Sequence, residues 1–291
     1  MGSTQEQGDV NAGVGLTALT VAAARALETD RADRLIDDPY AEAFVRAAAP
    51  PVPMPIRQHE DVTGFWAMAG PLWGVRSRFF DDYFADAVGG GARQVVVLAA
   101  GLDARAYRLE WGADTDFYEI DQPEVLEFKQ QVLTEQDATP CCHRHSVSAD
   151  LRQDWAGALR AGGFDPARPT AWLAEGLLLY LPAEAETTLF ERVHELSAPG
   201  SRIAFDRLPP ETRSAITGDA ARNDARRAAG IAMPELWSGE QRRDCATWLR
   251  SMGWTITIET RGHAAEKYGR TVDGLSGLTQ LGELVTARLP Q

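Results

Sequence analysis

"QVVVLAAGLDARAYRL", Gln94 to Leu109, decides how the rest of the chain is read. Val95 to Leu98 form an apolar run that enters Ala99-Ala100-Gly101 directly, and the "DARAYRL" beyond suits a helix. A buried strand turning sharply at a glycine into a helix is how many α/β proteins hold a nucleotide-like ligand. The dinucleotide signature carries three glycines, whereas this turn has Gly101 alone. Its ligand must be sought in the residues around it.

From Gln94 onward the pattern alternates. Strands are expected at Val95–Ala99, Thr115–Ile120, "CCHRHSVS", Thr170–Ala174 and Ser201–Phe205. Helices are expected from Pro123, over "DLRQDWAGALR" and over Ala183–Leu196. Such alternation predicts a parallel sheet covered on both faces. The chain closes with an expected helix Gly239–Met252, a strand "WTITIET" and an edge strand "ELVTARL". Upstream the signals are helical: Gly15–Thr29 at i, i+3, i+4 spacing, "DDPYAEAFVRAAA", and Pro71–Val88 before Gly89-Gly90-Gly91. "APPVPMPIRQ" cannot continue a helix and reads as a loop. No repeat or linker divides the chain, so one domain is expected.

Composition narrows the partners. The 29 Lys+Arg against 42 Asp+Glu leave a formal charge of −13, which repels phosphate backbones and anionic lipid. Neither nucleic acid nor membrane is an expected partner, and no apolar run reaches the roughly 18 residues of a membrane span. Cys141, Cys142 and Cys245 have no C-x-x-C spacing and suit a reducing compartment. "MGSTQEQGDV" lacks the positive start and apolar core of a signal peptide, and Glu6 breaks the myristoylation pattern. A soluble cytoplasmic protein is the expectation.

In an open parallel sheet, ligands bind where the strands end. The residues there are Gly101, Asp121, Asp150-Leu151 and Glu175, after successive strands. A pyrophosphate would be repelled by Asp103 at the expected helix start. Asp121, about twenty residues past the turn, stands where a ribose-binding acid belongs. The combination favours an adenosine ribose without a phosphate, as in S-adenosylmethionine.

These residues resemble a known family. "VVVLAAGLDARAYRL", "YEIDQPEVLEFK", "SADLRQDW", "AEGLLLYLP" and "MPELWSGEQRRDCATWLRSMGW" together look like the leucine carboxyl methyltransferase-like group, in its bacterial branch of S-adenosylmethionine-dependent O-methyltransferases. The likeness runs from "GLTALTVAAARALET" through "GVRSRFFDDYF" to "YGR" near Arg270. It implies an α/β, class I methyltransferase (Rossmann-like) fold: a mostly parallel seven-stranded sheet with helices on both faces, N-terminal helices and a helical lid insertion. Residues 1–91 would be the helical cap, 92–208 the cofactor core, 209–238 the lid and 239–291 the C-terminal part of the core. By the same resemblance Arg78 matches the arginine that pairs with the cofactor carboxylate, as a bidentate guanidinium suits. Ala99, Ala100 and Gly101 match the turn beneath the methionine portion, and Asp121 the acid on the ribose hydroxyls. Asp150 and Leu151 match the pair that holds adenine, and Glu175 the acid near the α-amino end. The single-glycine turn departs from the general class I pattern and agrees with this branch.

Quieter readings stand beside each residue. Asp121 and Asp150 can cap the helices that follow them. Asp103 and Arg105 read as a helix cap and a packing partner, and Arg78 has Asp81 and Asp82 nearby for a solvated ion pair. His143 and His145 face one side of a strand, which permits a metal, but without a third ligand they read as surface histidines; no metal is expected. "GFWAMAGPLW" reads as core or pocket lining, and the arginine pairs near Arg226 and Arg242 as solvated helix faces. Tyr180 and Arg207 occupy places where a small-molecule acceptor could lie. A carboxylate acceptor is ionised at neutral pH and needs no base; a phenol with pKa near ~10 would benefit from one. Two other classes remain open from the residues: a nicotinamide-dependent oxidoreductase, and an S-adenosylmethionine-binding protein without catalysis.

Overall fold

The structure is a computed structural model and describes residues 13–60, 62–209, 242–270 and 282–291. In chain order the described elements are α1 (Gly13–Thr29), α2 (Ala41–Ala48), α3 (Phe65–Gly89), β1 (Gln94–Leu98), α4 (Arg105–Arg108) and β2 (Asp116–Asp121). They continue with α5 (Pro123–Glu135), β3 (His143–Ser148), α6 (Trp155–Ala161), β4 (Thr170–Ala174), α7 (Ala183–Glu195) and β5 (Arg202–Arg207). Last come α8 (Cys245–Ser251), β6 (Thr255–Thr260), α9 (Arg261–Lys267) and β7 (Glu283–Arg288).

The seven strands form one sheet in the order β3-β2-β1-β4-β5-β7-β6, with only β7 antiparallel to its neighbours. Each side of β1 joins a parallel strand, so the order reverses between β1 and β4, the place where such sheets open a ligand crevice. Alternation along β1 builds both layers. Val95 and Val97 enter the core shared with α1, α3 and α5, while Val96 and Leu98 enter the core shared with α6, α7 and α8. The expected α/β fold is present, and its strand order is that of class I methyltransferases.

Three expectations are corrected. "ELVTARL" is not an edge strand: β7 lies between β5 and β6, because Leu284, Val285 and Ala287 are buried on both faces. The edges are β3 and β6, whose exposed positions recur along the strand. The helix expected over 239–252 begins at Cys245, where Asp244 takes the Thr247 amide at 2.5 Å and caps it; residues 239–241 lie outside the described ones. The long helix α3 starts at Phe65 rather than Pro71, so the proline sits inside it and the Ala67 carbonyl loses its regular donor. The lid expected over 209–238 lies outside the described residues apart from Pro209.

The N-terminal helices dock tightly. At Gly74 of α3 an added Cβ would stand 2.7 Å from the Glu28 side chain, so only glycine admits α1 this close. Glu28 is fully buried and accepts from Leu35 N at 2.7 Å and from Arg270, which also bonds Asp33. Tyr268 adds a bond from its hydroxyl to Asp82 Oδ2 at 2.8 Å, so the stretch after α9 is fastened to α1 and α3. Among the described residues no helix is long and apolar enough to cross a membrane.

Candidate active site

The candidate site lies along the crest of the sheet, where the parallel strands β1 to β6 end. After β1 the chain turns through Ala99 (φ 52°), Ala100 and Gly101 (φ 48°), two left-handed residues within three. Only the Ala18 Cβ, at 3.6 Å, comes near the position of a Gly101 Cβ, so glycine is needed there for its backbone angle rather than for space. Ala100 N donates to Ile120 O at 3.0 Å, and Gly101 N to Asp121 Oδ2 at 2.6 Å. The other Asp121 oxygen takes Gln122 N at 2.7 Å. Burial pushes the Asp121 carboxyl up from its ordinary pKa, and the two amides only partly offset that. Each oxygen spends one lone pair on an amide, which leaves acceptor capacity for hydroxyl donors.

Asp150 and Leu151 follow β3. Leu151 is buried, and Asp150 is chelated by Arg152, with Nη2 at 2.6 Å and Nε at 2.9 Å. Those bonds hold the Asp150 carboxyl below its usual pKa. Because the Arg152 side chain is 42% exposed, a ligand can displace it at small cost.

Beyond the switch point the crest is ionic. Glu175 accepts from Arg76 Nε through one oxygen at 2.8 Å and from Arg105 Nη1 through the other at 2.7 Å. Arg105 also bonds Asp103 Oδ2 at 2.5 Å and Asp81 Oδ1 at 2.7 Å, and Asp81 also binds Arg108. Asp206, at the end of β5, accepts from Gly176 N at 2.6 Å, Arg76 Nη1 at 3.4 Å and Arg261 Nη2 at 2.5 Å. Burial by itself would raise Asp206 and Asp103. For Asp206 the charges of Arg76 and Arg261, and for Asp103 chiefly that of Arg105, outweigh it and hold each carboxyl below its usual range.

Arg78 requires correction. It does not reach the crest: it pairs with Asp82 at 2.8 Å one turn along α3, its side chain 45% exposed, and lies over the Tyr268 ring. Arg76, two residues earlier, is buried and stands among Glu175 and Asp206. Two residues of a helix are about 200° apart, so the two arginines point to opposite faces. Position 76 shares its face with Phe80, Tyr83 and Ala87, all buried, and that periodicity is the signal which distinguishes them. Arg105 likewise proves more than a packing partner.

The weaker acceptor candidates divide. Tyr180 is half-buried in the turn after β4, where its amide donates to Leu177 O at 3.0 Å. Arg207 is committed to Glu283 Oε2 at 2.7 Å and Asp244 Oδ2 at 2.6 Å, which leaves it poorly placed to orient an acidic acceptor. Arg242, expected on a solvated face, is instead buried against Glu186 and bonds the Leu178 carbonyl at 2.6 Å, bracing that turn. His145 stacks on Tyr118 at 4.5 Å and bonds Asp116 at 3.2 Å. Among the described residues no group of three His, Cys, Asp or Glu side chains could hold a metal.

Such a sheet, with a one-glycine turn and an acid at the end of β2, defines a class I methyltransferase fold. Residues 18–194 match the leucine carboxyl methyltransferase family, and the chain belongs to it. A Saccharopolyspora erythraea protein, provisionally named an S-adenosyl-L-methionine-dependent methyltransferase, is 50% identical over 98% of this chain and 99% of its own. A Rhodococcus jostii protein with the same kind of name is 47% identical over 92% and 91%. Among solved structures, a DUF574 family protein from Streptomyces avermitilis superposes with TM-score 0.57 at 18% identity, covering 93% of this chain and 97% of its own. A provisionally named methyltransferase from Thermobifida fusca gives TM-score 0.54 at 19% identity, covering 93% and 94%. Those two likenesses support the fold.

Proposed function

We propose that this chain transfers a methyl group from S-adenosyl-L-methionine to an oxygen, carboxylate or hydroxyl, of a small-molecule acceptor. Family membership gives the methyltransferase class, and its close relatives are named for that donor. The observation that carries the donor assignment here is Asp121, half-buried at the end of β2 and bridged to the Gly101 amide, with no glycine-rich phosphate cradle beside it. A nicotinamide dinucleotide would need such a cradle for its pyrophosphate, which counts against it.

The residues fit the donor in two groups. Asp121 would take the ribose hydroxyls, Asp150 and Leu151 the adenine, and Ala99 to Gly101 would pass beneath the sulfur. Arg76, in place of Arg78, and Glu175 would hold the carboxylate and α-amino ends, each already fixed by buried partners. When bound, the sulfonium supplies a methyl carbon with an excellent leaving group. The chain's task is then to align the acceptor oxygen and exclude water.

Of the five histidines, His145 pairs with Asp116, His194 accepts from Trp254, and His263 lies on an exposed face near Glu259 and Glu266. A carboxylate acceptor, already ionised at neutral pH, therefore asks least of the residues present. Calorimetry with S-adenosylhomocysteine and NADH tests the donor: the first should bind and the second should not. Methyl incorporation into a panel of small carboxylic acids and phenols tests the acceptor. A base-labile product identifies an ester, and methylation found on nitrogen alone would overturn the oxygen assignment.

A further inference from the structure

The ionic half of the crest is ordered as a row of alternating charge. Asp81, Arg105, Glu175, Arg76, Asp206 and Arg261 follow one another, each bonded to the next at 2.7, 2.7, 2.8, 3.4 and 2.5 Å. The row crosses from α3 and α4 to the ends of β4, β5 and β6. Asp206 is its pivot. It is 5% exposed and lies between two guanidiniums, that of the buried Arg76 and that of Arg261, which would otherwise face each other without a carboxylate between them. Its remaining oxygen takes the amide of Gly176, a residue at φ 65° next to Glu175, in the turn that leaves β4. A Cβ on Gly176 would stand 3.3 Å from Arg76 Nη1, so this turn and that guanidinium are packed face to face.

Asp206 thus fixes both neighbours of Glu175: the arginine on its oxygen and the backbone after it. We propose that Asp206 is a positioning residue for the amino-acid end of the donor, acting through Arg76 and Gly176 without touching the ligand. The proposal rests on the assignment of Arg76 and Glu175 to that end. It goes further in making affinity for the tail, and only the tail, depend on a carboxylate one strand away.

The test compares two ligands by calorimetry: S-adenosylhomocysteine, which has the amino-acid tail, and 5′-methylthioadenosine, which lacks it. Asp206→Asn keeps the shape and an acceptor for Gly176 but removes the charge. It should weaken S-adenosylhomocysteine by about tenfold or more, the scale of one charged hydrogen bond, and leave 5′-methylthioadenosine within about twofold of wild type. The double variant Asp206→Asn/Arg261→Gln removes one charge of each sign, so it serves if the single variant does not fold. It should show the same selective loss, with a ligand-free thermal melt confirming the fold. Wild-type affinity for S-adenosylhomocysteine, or an equal loss for both ligands, would overturn the proposal. Failure of the wild-type protein to bind either ligand would instead defeat the donor assignment beneath it.

Discussion

The two halves of the crest treat their carboxylates differently. On the β1–β2 side, Asp121 is answered by two backbone amides and keeps lone pairs to give. On the β4–β6 side, Glu175 and Asp206 are each gripped by two guanidiniums. Amides hold an acid in place without neutralising it, which suits acceptance from neutral hydroxyls. Paired guanidiniums bring charges of both signs into one buried place, which suits a zwitterionic amino-acid end. The crest thus sets an amide-held acid beside an ion-paired network, the division on which the proposed donor site rests.

The largest effect should come from breaking the ionic half at its centre. Arg76→Ala leaves Glu175 and Asp206 short of a cation, and the urea-derived stability should fall by about 3–5 kcal/mol. On the other half, Asp121→Ala should cost little of the fold but about a hundredfold in S-adenosylhomocysteine affinity by calorimetry, the scale of two lost charged hydrogen bonds. Acid separates the halves by sign. Asp121 has a raised pKa, so its protonation favours the folded state as pH falls while it removes the acceptor; donor affinity should drop at a pH above the ordinary aspartate range. Asp206 and Asp103 are depressed, so their stabilisation is present above the unfolded pKa of ~3.9 and is lost as pH falls below it. Urea midpoints between pH 5 and 3 should therefore fall less steeply in Asp103→Asn than in wild type. Asp150→Ala, at an exposed pair, should weaken binding only about three- to fivefold. Arg78→Ala should change it by less than about twofold. A large loss in that last variant would return Arg78 to the site and remove Arg76 from it.

Much of this was legible in the sequence because the period of burial follows the elements. Val95 to Leu98 read as a doubly covered strand, and the alternation after it placed Gly101, Asp121, Asp150 and Glu175 at the ends of adjacent strands. What escaped was long-range pairing. "VRSR" offers two arginines to one helix, and their opposite faces emerge only when Phe80, Tyr83 and Ala87 are counted with Arg76. Asp206 and Arg261 gave no local signal, since each matters through partners 130 and 55 residues away. The insertion of β7 was hidden too, because an apolar run does not say which two strands it separates.

The Arg270–Glu28 contact, 242 residues apart in the chain, bears on how the molecule can be cut. Deleting α1 would leave Arg270 with Asp33 as its carboxylate partner, and trimming the C-terminal portion would take from the buried Glu28 its nearest cation. Truncations at either end should give insoluble product, and denaturation of the intact protein should pass through a single cooperative step.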